Sequence, residues 1–127
     1  MPRGGPFPSV KDFNDWLSWL PQRKLSDSQK YSDPHRPYLP DNDTIVLTHG
    51  DLHRANIIVS ATTPPRIAAI VDWGQAGWCP AYWEYCKALY TASYLEEWRN
   101  EWIPRFLTPR DTEFEVLSEY FMAIGAV

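Results

Sequence analysis

Cysteine, positive charge and long hydrophobic runs are all scarce in this 127-residue sequence. Its two cysteines, Cys79 and Cys86, stand seven positions apart in a Trp/Tyr-rich stretch. That makes neither a metal-binding pair nor a disulfide framework. A reducing location, the cytoplasm, is the expectation. Twelve Lys and Arg against sixteen Asp and Glu give a net charge of −4. With no basic stripe, nucleic acid is excluded as the main partner, and so is a polybasic membrane surface. Residues 67–71 are among the longest apolar runs, far short of the ~20 residues that span a bilayer. The first ten residues have no apolar signal core.

Aromatic residues are abundant, 15% of the chain with seven tryptophans. Each buried ring removes a large apolar area from water, so a chain of this length can build a core. The size fits a single domain over residues 1–127. Residues 1–8, with three prolines and two glycines, predict an extended leader. Ser9 through Asp12 reads as a capping-box variant. Phe13, Trp16, Leu17 and Leu20 then fall on one helical face, and Pro21 stops the helix. Residues 21–43 carry four prolines and no periodicity, which predicts an irregular segment of functional or mobile character.

Three short strands follow, at 45–48, 57–59 and 67–71. The last two are spaced as an antiparallel hairpin around the stiff Pro64-Pro65 turn. From Ala81 the apolar period switches to 3 and 4 through Tyr82, Tyr85, Cys86 and Leu89, which predicts a helix. A second helix is predicted over 94–103, broken at Pro104. A third follows Pro109, with Asp111 or Thr112 as its cap and Phe114, Leu117 and Phe121 inward. The fold class is therefore α+β, mostly helical with a small antiparallel hairpin.

The segment most informative about chemistry is His49-Gly-Asp51-Leu-His53-Arg-Ala-Asn56, a polar loop between two strands. Sixteen residues beyond Asn56, another strand ends at Asp72. Phosphoryl transfer needs such a set: one carboxylate to orient the attacking hydroxyl and take its proton, and oxygen donors to hold Mg²⁺. The five-residue interval from Asp51 to Asn56 is that of the protein-kinase loop H-R-D-L-x-x-x-N, leucine included.

HGDLHRANI followed by IAAIVDWGQAGWCPAYWEYCKA resembles the aminoglycoside phosphotransferase and choline-kinase-like family. The resemblance implies a protein-kinase-like C-terminal lobe, with the hairpin at the catalytic loop. It implies ATP with Mg²⁺ as cofactor and a small-molecule hydroxyl as acceptor. It implies Asp51 as catalytic base, His49 as a scaffold of the loop, and Asn56 and Asp72 as Mg²⁺ ligands. Asp72-Trp73-Gly74 stands where protein kinases carry Asp-Phe-Gly. Glu84 falls where the family usually carries Asp, and reads as a brace or cap.

Other readings of these residues are weaker. His49 and His53 are four apart, as in zincins, but Gly50 follows the first and no Glu stands between them. His35, in the Pro-rich stretch, reads as solvated. The cluster Trp73, Trp78, Tyr82, Trp83, Tyr85, Trp98 and Trp102 could cradle a quaternary ammonium by cation–π attraction; the helical spacing of Tyr82, Tyr85 and Leu89 favours a packed core instead. Glu96, Glu97, Arg99 and Glu101 read as a solvated helix face.

A complete kinase also needs a Gly-rich loop and a strand lysine. The six glycines form no G-x-G-x-x-G, and Lys11, Lys24, Lys30 and Lys87 lie on no such strand. The expectation is a C-terminal lobe alone, from Met1 to Val127. It would be completed by a nucleotide lobe or partner chain, or else be a non-catalytic binding module. Apolar surface left uncovered by the missing lobe should make the isolated chain associate.

Overall fold

A computed structural model describes residues 3–125. Helix α1 (Val10–Trp19) starts where Ser9, in extended conformation, accepts a hydrogen bond from the Asp12 amide at 3.1 Å. Val10, Phe13 and Leu17 point inward, and Leu20 and Pro21 continue the chain as a single tight turn. Strand β1 (Ile45–Thr48) pairs antiparallel with β4 (Gly77–Pro80), while β2 (Ile57–Val59) pairs antiparallel with β3 (Ile67–Ile70). Helix α2 (Trp83–Thr91), the short α3 (Ile103–Phe106) and α4 (Asp111–Ile124) complete an α+β architecture of helices and two separate two-stranded sheets.

The core lies between the helices. Leu17 and Leu20 meet Tyr82, Cys86 and Leu89 of the α2 region, and Leu117 and Phe121 of α4. Phe13 packs edge-on against Trp83 at 5.1 Å, and Trp83 edge-on against Phe121 at 5.7 Å, the favoured approach for ring quadrupoles. One buried polar pair is fully partnered: the Tyr82 hydroxyl donates to Asn14 Oδ1 at 2.6 Å, and Asn14 Nδ2 donates to the Pro40 carbonyl at 2.9 Å. Burial pushes the Tyr82 phenol far above its ordinary pKa.

Several expectations need correction. Residues 21–43 are irregular but tied down. Asp33 accepts from Ser18 at 2.5 Å and from the Tyr120 hydroxyl, and Arg36 bridges Asp15 and Asp41 at 2.9 and 2.6 Å. His35 is not simply solvated, since its ring stands edge-on to Tyr120 at 6.1 Å. Pro104 does not break a helix. It sits in the first turn of α3, where its missing N–H costs nothing. The helix predicted over 94–103 is present in part: it starts late and is wide, a π-helix over Trp98–Trp102 that runs directly into α3.

Asp111 is the first residue of α4 rather than its cap, because its carboxylate is taken by the Tyr85 hydroxyl at 2.7 Å. Arg99 leaves the solvated face and stacks 4.1 Å over Tyr94. The tryptophan–tyrosine cluster divides: Tyr82, Trp83 and Tyr85 are core, whereas Trp73, Trp78 and Trp102 are exposed. Strand β4 was hidden in the sequence by its terminal Gly77 and Pro80, residues depleted from strands.

Candidate active site

The loop 49–56 leaves β1 at a buried Thr48 and re-enters the hairpin at β2. Glu84, in the first turn of α2, clamps its start. The carboxylate accepts from the His49 amide at 2.7 Å and from the Gly50 amide at 3.0 Å, a charge-assisted fork on two adjacent N–H groups. Gly50 has φ +83°, and a Cβ there would lie 2.7 Å from the Gln75 carbonyl oxygen. Only glycine satisfies both the left-handed backbone and this close approach.

His49 is buried and fully engaged. Its Nδ1 accepts from the Asp51 amide at 3.1 Å, and its Nε2 lies 2.8 Å from the Val71 carbonyl oxygen. An N–H facing Nδ1 and a C=O facing Nε2 require the tautomer with the proton on Nε2. The ring also stands edge-on to Trp73 at 4.7 Å. With both nitrogens occupied, His49 has no lone pair for a metal, which ends the zinc reading. Among the described residues no three His, Cys, Asp or Glu side chains cluster as a metal site.

Asp51 and Asn56 are brought together directly. Asn56 Nδ2 donates to the Asp51 carbonyl at 2.8 Å and reaches Asp51 Oδ2 at 3.3 Å. His53 Nε2 stands 3.7 Å from Asp51 Oδ1. These contacts commit the Asn56 amide nitrogen to the loop and turn its Oδ1 into the atom that could face a cation. Asp72 is tied to the loop only through its neighbour. Val71 donates its amide to the Asn56 carbonyl at 2.8 Å while its own carbonyl takes His49. Asp72 is exposed and has φ +61°, a left-handed conformation that costs a non-glycine residue energy. Its carboxylate makes no hydrogen bond to Asp51 or Asn56. Two oxygen donors of this kind suit Mg²⁺, a hard ion that takes the rest of its shell from water and substrate phosphates.

The sequence profile of the phosphotransferase enzyme family matches residues 7–120, most of the chain. The chain belongs to this phosphotransferase family. No solved structure matches it.

Among the groups that build the loop, three contacts had no signal of their own in the sequence. The Val71 carbonyl that fixes the His49 tautomer and the Gln75 carbonyl that demands Gly50 are backbone groups. Trp73 stood out by its place in Asp72-Trp73-Gly74, but its contact with the His49 ring did not. Glu84 was read as a brace or cap from the family resemblance, but its target was not legible. Both cysteines are free thiols. Burial pushes Cys79 up to about 11 and raises Cys86 further, so neither is a ready nucleophile. Among the described residues no helix is long and apolar enough to cross a membrane.

Proposed function

We propose that this chain carries the acceptor-side half of an ATP- and Mg²⁺-dependent small-molecule O-phosphotransferase, as a protein-kinase-like C-terminal lobe. The observation that carries the reading is the Asp51–Asn56 contact, held in a loop whose backbone is clamped by Glu84 and His49. In this reading Asp51 orients the acceptor hydroxyl and accepts its proton. Asn56 Oδ1 and the Asp72 carboxylate hold the ion. Bound Mg²⁺ would neutralise charge on the nucleotide phosphates. The loop amides are already spent on Glu84, so Asp51 is positioned by groups that do not themselves touch substrate.

A second reading, a non-catalytic binding module, is favoured by one feature: the described glycines form no Gly-rich phosphate loop. The exposed apolar residues of the two sheets, Leu47, Ile58, Val59, Ile67 and Ile70, support the first reading by offering a surface for a nucleotide lobe to cover.

The test supplies a nucleotide-binding kinase lobe, fused or in trans, and follows phosphate transfer from ATP to a panel of amino-alcohols and sugars. Transfer that appears with the added lobe and disappears in Asp51→Asn supports the enzyme. No transfer to any acceptor, with Mg²⁺-nucleotide binding unchanged in Asp72→Ala, overturns it in favour of the module.

A further inference from the structure

A sizeable cavity lies away from Asp51. It has a volume of about 600 Å³ and runs between residues 3–7, α1, the 74–79 segment and the start of α2. Asp51, Asn56 and Asp72 are absent from its lining. Five rings wall it, from Phe7, Phe13, Trp16, Trp78 and Trp83. Its two charged lining residues are both cations, Arg3 and Lys87, and no carboxylate lines it. That is a local reversal of sign in a chain of net charge −4.

Lys87 sits at the inner end. It is only 4% exposed, whereas Trp78 at the opposite wall is 63% exposed. Lysine is almost never buried to this degree without a partner. The Lys87 ammonium lies 6.0 Å from the Trp83 ring centre and 5.8 Å from that of Phe121, both at the outer limit of cation–π attraction. Among the described residues no carboxylate oxygen lies within ion-pair distance of it. Burial lowers its pKa, with the more distant Asp51 charge opposing. A buried ammonium in this condition is costly unless an anion completes it.

We propose that this cavity is a binding site for a small amphipathic monoanion, a planar aromatic carboxylate whose head group pairs with Lys87 and whose ring lies between Trp16, Trp78 and Trp83. The gradient of exposure orients the ligand, head inward and body toward the Trp78 rim. Ring walls favour a flat apolar body, because offset and edge-on contacts among rings add to the area they bury. The cavity size is within the range of small-molecule sites. This inference stands apart from the phosphotransfer reading, since none of Asp51, Asn56 and Asp72 lines the cavity and Gln75, which does, meets the loop only through its carbonyl at Gly50.

The experiment titrates the full chain with 2-naphthoate, 2-naphthylmethanol and 2-naphthylmethylamine. These share one body and differ only in charge. Calorimetry and tryptophan quenching read the affinity. The acid should bind about tenfold or more tighter than the alcohol, a difference of ~1.4 kcal/mol or more, and the amine most weakly. Lys87→Met, which keeps the length and removes the charge, should erase the preference for the acid while the alcohol still binds. Trp78→Ala should weaken all three alike.

Equal affinity for acid and alcohol, a preference that survives in Lys87→Met, or no binding of any of the three overturns the proposal. Should Lys87→Met not fold, the acid–alcohol–amine series on the unaltered chain decides the question.

Discussion

The helical half and the sheet half of this molecule are held together by different forces. Around α1, α2 and α4, rings and aliphatic side chains are buried almost completely, and Leu17, Leu20 and Tyr82 are fully enclosed. Around β2 and β3 the apolar side chains stand in solvent, with Ile67 66% exposed. What fixes that side is a set of polar stitches: Glu84 on the loop amides, His49 on Val71, and Asn56 on Asp51. The difference teaches where stability and geometry are separately stored. Burial supplies the free energy of the domain, and hydrogen bonds to backbone supply the shape of the candidate site.

That separation can be broken by mutation, with the largest effect expected at the chemistry. With a nucleotide lobe supplied, Asp51→Asn should lower transfer by about 10²–10⁴, the usual worth of a general base. The urea midpoint should stay within error, since Asp51 anchors no core packing. In the opposite sense, Phe121→Ala should cost about 3–5 kcal/mol of stability, read from the same urea curves. A Phe121→Ala chain as stable as the parent would show that the core between α2 and α4 is not where the stability resides.

Gly50→Ala meets both the left-handed φ and the Gln75 carbonyl, and should cost about 1–3 kcal/mol. Glu84→Gln keeps the side chain's shape but turns one arm of the fork into a donor facing an N–H. Amide exchange at His49 and Gly50 should speed up, while exchange in α4 stays slow. Unchanged exchange at both amides would mean that the fork is not what holds the loop.

Acid provides a finer probe of the stitching of residues 21–43. Burial alone would raise the Asp33 pKa, but the Ser18 and Tyr120 hydroxyls and the His35 amide outweigh it and hold it below its ordinary 3.8. A carboxyl depressed on folding stabilises the native state above its unfolded value, and that contribution is lost as pH falls through the folded one. Thermal unfolding followed from pH 6 downward should therefore show a shallower acid loss in Asp33→Asn than in the parent.

The smallest stability change belongs to the outer face of the hairpin. Ile67→Thr should alter stability by no more than about 0.5 kcal/mol, yet reduce self-association measured by light scattering. A parent chain that stays monomeric at high concentration would break this last contrast.

Local signals in the sequence foreshadowed much of this. The Ser9 cap and the Phe13–Leu17–Leu20 face predicted α1 because capping and amphipathic period are properties of neighbours a few residues apart. The hairpin was legible from two β-branched runs and a Pro-Pro turn. Asp51 and Asn56 were legible because their interval is fixed within one loop. The rest depends on pairs distant in sequence. Strand β4 exists because β1 offers it a partner; Gly77 and Pro80 alone argue against a strand. Pro104 was misread because a helix breaker and a helix starter are the same residue until the position of the first turn is known.

The sequence by itself determined the α+β class, the family, and the order of Asp51, Asn56 and Asp72 along the chain. It could do so because composition, period and motif spacing are one-dimensional quantities. Only the tertiary structure decided which aromatic residues became core and which stayed exposed, where Glu84 put its two oxygens, and that Lys87 ends in an acid-free aromatic cavity. These are facts of three-dimensional proximity. A side chain's charge cost, its hydrogen-bond partners and its solvent contact are set by what folds against it, and residues 3–7 lie some eighty positions from Lys87 in the chain yet line the same cavity.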